Sequence, residues 1–127
     1  DIQKICKNLL VCLHDIKRES VVVLFMDEKN KCIDVKVRFG SKNSLKFHTK
    51  EICNEAPAVK ASNIIVACNH SEEKTTPTRT DFLHAATLYA NLPEGVKLAA
   101  YVLWCKNQAI SLLDSYEFKQ MISGYRG

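Results

Sequence analysis

The side chains best equipped for chemistry in this chain are six cysteines (Cys6, Cys12, Cys32, Cys53, Cys68 and Cys105) and four histidines (His14, His48, His70 and His84). Thiolates and imidazoles serve as nucleophiles, bases and metal ligands. Spacing narrows those options. No two cysteines stand at C-x-x-C, which excludes a zinc ribbon and a thioredoxin motif. An even count allows three disulfides, yet a chain of 127 residues buries a core without such staples. Cys6, Cys12, Cys53 and Cys105 lie within apolar stretches, where a free cysteine acts as a small hydrophobe. The expectation is a reduced, intracellular chain, cytoplasmic or nuclear. His14, His48 and His84 have no partner spacing and read as surface or packed residues.

A second concentration is electrostatic. Between Lys29 and Lys50 stand seven basic residues, Lys29, Lys31, Lys36, Arg38, Lys42, Lys46 and Lys50, against one acid, Asp34, giving the segment +6. Lys36, Arg38, Lys42 and Lys46 are the candidates for contact with nucleic acid or an acidic partner. The competing reading is a solvated strand face and loop, because exposed lysine is the default surface residue. The chain as a whole carries a formal +4, mildly basic and insufficient alone to mark a nucleic-acid binder.

The elements that must position these groups follow from periodicity. The apolar fraction of 46% and charged fraction of 25% are those of a globular protein, and four glycines with three prolines exclude collagen and low complexity. No apolar run approaches the roughly 18–20 residues of a membrane span, so no membrane partner is expected. The length suits one domain, residues 1–127. A start at Asp1 without a signal-peptide pattern suggests a domain excised from a larger protein.

Ile2, Ile5, Cys6, Leu9, Leu10 and Leu13 recur at helical spacing over residues 2–13. Residues 20–26 form a buried strand, and residues 31–39 alternate as its hairpin partner. In that partner Ile33, Val35, Val37 and Phe39 share one face, and Asp34, Lys36 and Arg38 the other. Leu45–His48 is a short extended piece. Thr49 caps a helix from Lys50 to about Ala61 that Pro57 bends or delays. Residues 63–68 form a central strand. Thr78 caps the next helix, with Asp81 in capping-box position, running to about Asn91. Residues 96–104 and 108–113 make a second hairpin, with Tyr101 and Trp104 in its core or rim, and residues 115–123 a last helix. This order predicts an α+β protein, a mixed sheet flanked by helices.

Phe25-Met26-Asp27, Gly40-Ser41, Thr49-Lys50-Glu51, the strand Ile64–Ala67, Cys68-Asn69-His70 and Pro77-Thr78-Arg79-Thr80-Asp81 together resemble the RadC-like branch of the JAMM/MPN domain family. Residues 96–113 resemble its closing hairpin. The resemblance implies a cytidine-deaminase-like architecture. Where the family carries His-x-His on a strand end and Pro-Ser-x-x-Asp at the next helix start, two histidines and the aspartate hold zinc. Residues i and i+2 of a strand share a face and can grip one ion. A glutamate acts as base on the zinc-bound water, and the serine helps hold the oxyanion.

By this resemblance the metal positions are Cys68, His70 and Asp81. Thiolate is a competent zinc ligand, and Thr78 keeps the serine's hydroxyl. Lys36 falls at the glutamate position by count from Gly40; a lysine cannot serve as that base, and its charge repels zinc. Asp34, about 6.6 Å back along the strand, compensates only if the register slips. Ser71-Glu72-Glu73 replaces the family's Pro-Ser-Gly, and Ala100-Tyr101 an Asp-His pair.

The first expectation is therefore a pseudoenzyme with no catalytic residues and no cofactor. It would be a degenerate domain, with Lys36 and Thr78 as the marks of degeneration, acting as a protein-interaction scaffold with another MPN-like domain or a second copy. The alternatives are a zinc-dependent hydrolase with a Cys/His/Asp site, and a nucleic-acid-binding domain using residues 29–50. A purely structural reading makes Cys68 a buried cysteine, His70 a solvent-facing histidine and Asp81 a helix cap.

Overall fold

A computed structural model describes residues 20–39, 49–69, 77–105 and 108–123, with backbone alone for residues 38, 39, 69, 104, 105 and 108. The helix expected over 2–13 and the extended piece Leu45–His48 lie outside the described residues, as does the side chain of Trp104.

Five strands, β1 (Ser20–Met26), β2 (Cys32–Phe39), β3 (Asn63–Asn69), β4 (Lys97–Cys105) and β5 (Gln108–Ser111), form one sheet in the order β2-β1-β3-β4-β5. β1 runs antiparallel to β2 and β3, β3 parallel to β4, and β4 antiparallel to β5. The helices are α1 (Thr49–Ala58), α2 (Arg79–Asn91) and α3 (Tyr116–Ser123). This is the mixed-sheet α+β fold expected from the element order.

The β1–β2 turn closes because Asp27 Oδ1 accepts the Lys29 and Lys31 N–H groups, each at 2.9 Å, while Asn30 takes a left-handed φ of 63°. Gly95, at φ 88°, supplies the left-handed position of the turn into β4, where Val96 N–H donates to Pro93 C=O at 3.1 Å.

Helix α1 departs from expectation at both ends. It starts at Thr49, so that residue lies inside the helix instead of capping it. Pro57 sits in its last turn and does not delay its start. The helix stops because Lys60 turns left-handed at φ 60°, Ala61 N–H donates to Ala56 C=O at 2.9 Å, and Lys60 N–H to Pro57 C=O at 3.1 Å. These are the paired bonds of a Schellman cap, with lysine where glycine is usual.

The three described helices pack on one face of the sheet. Ile52 and Ala56 of α1, Phe82, Ala85, Ala86 and Leu88 of α2 and Phe118 of α3 meet Val21, Val23, Phe25, Ile64, Val66, Leu98, Tyr101 and Leu103. Fully burying each large apolar side chain contributes roughly 1.5–3 kcal/mol. On the opposite face, Val22, Leu24, Met26, Ile65, Ala67, Ala100 and Val102 form a second buried cluster, whose described members all lie on strands. Both faces of β1 and β3 are thus buried, which explains their near-continuous apolar runs.

The β4 register shifts at Ala99: Ile64 pairs with Leu98 and Ile65 with Ala100. Strict alternation from Leu98 would set Tyr101 on the far face. The extra residue reverses the parity and turns Tyr101 toward the helices, beside α2.

Candidate functional site

The strand β3, helix α2 and strand β4 bring the candidate residues to one place, the carboxyl end of β3. In open sheets with parallel strands this end is where ligand sites form. Cys68 stands at that end, half-buried, and Asp81 lies in the first turn of α2, 8% exposed.

Thr78 and Asp81 form the capping box read from the sequence. Thr78 N–H donates to Asp81 Oδ2 at 2.8 Å, and Asp81 N–H to Thr78 Oγ1 at 3.3 Å. The Thr78 hydroxyl also donates to Asp81 Oδ2, at 3.0 Å. One oxygen of the aspartate is therefore held by two donors of the cap, a strong arrangement for an ionised carboxylate.

Two further residues join Cys68. Tyr101 is 3% exposed, and its phenol oxygen lies 2.6 Å from His84 Nδ1, the rings meeting edge to face with centroids 5.7 Å apart. Cys68 Sγ lies 3.8 Å from the same phenol oxygen. The consistent assignment is a chain in which the thiol donates to the phenol and the phenol donates to an unprotonated Nδ1. Burial pushes the Tyr101 phenol well above its ordinary range, and the neighbouring Cys68 charge, its hydrogen bond and the Asp81 charge add to that. Tyr101 therefore stays a neutral hydroxyl. Cys68, Asp81 and His84 make further interactions besides these.

His84 and Tyr101 are the residues that sequence reasoning missed. His84 follows Asp81 by three, one turn along the same helix face, and that spacing was the available signal. For Tyr101 the Ala99 shift hid the facing.

Of the residues assigned by resemblance, Cys68, Thr78 and Asp81 come to this end of the sheet. His70 lies outside the described residues. Among the described residues no group of three or more His, Cys, Asp or Glu side chains is arranged to hold a metal ion. The described donors alone thus do not build the zinc site that the resemblance implies.

Lys36 is elsewhere. It pairs with Val23 across β1, whereas Cys68 pairs with Val21, whose other neighbour is Arg38. Strand spacings of about 4.8 Å and a two-residue step of about 6.7 Å put Lys36 roughly 11–12 Å from Cys68 between Cα atoms. Lys36 Nζ instead meets Glu55 Oε1 of α1 at 3.6 Å and Asp34 Oδ2 at 3.9 Å. Its charge is answered by carboxylates, so nucleic acid or an acidic partner must compete with both. The Arg38 side chain, Lys42 and Lys46 lie outside the described residues.

Cys32, Cys53 and Cys68 are free thiols; Cys32 is exposed on β2 and so is not a core residue. Cys53 is half-buried, donates to Asn91 C=O at 3.2 Å, and has its thiol pushed up by burial.

Comparison with known proteins decides the family. A profile of the RadC-like JAB domain matches residues 1–116. The chain belongs to the RadC-like JAB domain family. The match takes in the first 18 residues, beyond the segment whose motifs carry the resemblance. UPF0758 proteins of two Clostridium perfringens strains are each 32% identical to it over 116 residues, which is 87% of this chain and 49% of theirs. A UPF0758 protein of Actinobacillus pleuropneumoniae is 36% identical over 70 residues, 54% of this chain and 32% of its own. The chain thus spans about half the length of the Clostridium relatives, or less of the Actinobacillus one. No described helix of this JAB domain is long and apolar enough to cross a membrane.

Proposed function

We propose that this chain is a catalytically silent RadC-like JAB domain whose role is protein interaction. The observation that carries the reading is the Tyr101 phenol seated between Cys68 and His84, 3.8 and 2.6 Å away. A buried hydroxyl that stays neutral well above neutral pH cannot serve as the base on a water molecule. It also occupies the space beside the thiol at the strand end.

Asp81 supports the same reading, because one of its oxygens already accepts both Thr78 donors. Each of these groups thus has a structural role. Asp81 starts α2, and Tyr101 ties α2 to β3 through His84 and Cys68.

The test is hydrolysis of linear and isopeptide-linked peptides by the purified chain supplied with zinc. The expected release equals that of the Cys68→Ala/Asp81→Ala double variant. Turnover by the unsubstituted chain that this double variant abolishes would overturn the reading.

A further inference from the structure

We infer that β2 is a self-complementary edge and that this chain pairs through it with a second copy of itself, antiparallel and centred on Val35. The inference deepens the interaction reading by naming surface and partner, and does not depend on whether the Cys68 end is silent.

Strand β2 is an outer strand of the sheet. Its apolar row is the exposed one: Ile33, Val35 and Val37 are 44–47% exposed. Val37 and Val35 extend the face of Val22 and Leu24, their partners on β1, whose own side chains are buried. An eight-residue edge strand with an apolar row in water is a template for strand addition.

The backbone is turned the right way. Val35 N–H donates to Asp34 Oδ1 at 2.9 Å, a side chain of its own strand. In an antiparallel ladder the two main-chain groups of a residue point to the same side, so Val35 presents both to the open edge.

Charge then selects the register. Centring the pair on Val35 sets Val35 against Val35, Ile33 against Val37, and Asp34 against Lys36 of the second copy, twice by symmetry. Sliding by one residue along each strand sets Asp34 against Asp34 in one direction; in the other it sets Lys36 against Lys36 at the centre while bringing Asp34 opposite Arg38, so the Val35-centred register is the one of the three without a like-charge pair. A slip of odd parity carries each apolar row to the other face. Lys36 and Asp34 reach a second copy by giving up their contact with each other, and Lys36 its contact with Glu55, exchanges open to side chains that are 48% and 34% exposed. On pairing, the Asp34 carboxylate exchanges the Val35 N–H for the ammonium group of the second copy.

Sedimentation velocity of the 127-residue chain over a concentration series tests this, with helix and strand content followed by circular dichroism. The expected result is a monomer–dimer equilibrium. Val35→Pro leaves the β1 ladder intact, since the lost N–H faces away from it, and weakens dimerisation at least about tenfold. Asp34→Lys and Lys36→Asp each weaken the dimer, and the two together restore it.

Register is read by cross-linking in a Cys32→Ser background. Val35→Cys links to its own copy on mild oxidation, the Cα atoms being about 5.5 Å apart. Ile33→Cys does not, lying roughly 13 Å from its copy. A chain that stays monomeric, or a dimer indifferent to the charge exchange, overturns the inference and leaves the hydrolysis result untouched.

Discussion

At the carboxyl end of β3 the polar side chains turn inward and answer one another; on β2 they stand in water and leave an apolar row beside them. Cys68, Tyr101 and His84 are joined by hydrogen bonds within the protein, as are Thr78 and Asp81, and Tyr101 and Asp81 are buried. Lys36 and Asp34 are paired but half-exposed, and Ile33, Val35 and Val37 are more exposed than any strand residue of the core. On the reading proposed above, the residues at the first place serve structure and the strand at the second offers the surface for association. Substitutions should separate the two regions by what they change, stability at the first and association at the second.

The largest effect belongs to Tyr101. Tyr101→Ala leaves a cavity beneath α2 and should lower unfolding free energy by about 3–5 kcal/mol in a denaturant titration. Tyr101→Phe keeps the ring and loses the bonds to His84 and Cys68, and should cost about 1 kcal/mol. No loss in Tyr101→Phe would mean that the hydroxyl contributes nothing, and a loss equal to that of Tyr101→Ala would mean that the ring does not. Next comes the cap. Thr78→Ala should cost about 1 kcal/mol, and Thr78→Ser should recover most of it.

Alkaline titration probes the same region. Because the folded state raises the Tyr101 pKa above its unfolded value near 10, the folded chain holds this proton more tightly. Its stabilising contribution is complete below about pH 10 and is lost as pH rises above that toward the folded pKa. Tyrosinate absorbance should show Tyr101 ionising only as the chain unfolds, a step absent from Tyr101→Phe. In Tyr101→Phe the part of the alkaline loss of stability due to this group should vanish.

The smallest effect on folding is expected at β2. Lys36→Ala should change stability by no more than about 0.5 kcal/mol, because exposed ion pairs contribute little. A loss comparable to that of Tyr101→Phe would erase the contrast between the two regions.

Much of the fold was legible from periodicity. The buried runs 20–26 and 63–68 became β1 and β3, and Thr78 with Asp81 marked the start of α2, because burial on both faces and the capping box are local signals. The facing of Tyr101 was not legible, since one extra residue at Ala99 reverses the alternation. The stop at Lys60 was equally hidden, as its left-handed turn falls on lysine. Alternation divided β2 into the correct two rows, but only the register with β1 shows that the charged row lies on the helix side and the apolar row faces solvent. Of the site, Cys68, Thr78 and Asp81 were readable by spacing along the chain. His84 and Tyr101 were not, because their meeting depends on α2 packing against β4.

The central claim is that Cys68 and Asp81 are structural members of hydrogen-bonded groups closed within the protein. Elemental analysis of the chain, purified without chelator and then dialysed against buffered zinc, tests it most directly. The account predicts well under one zinc per chain, with the same content in Cys68→Ala. One tightly held zinc per chain, lost in Cys68→Ala or His70→Ala, would contradict it.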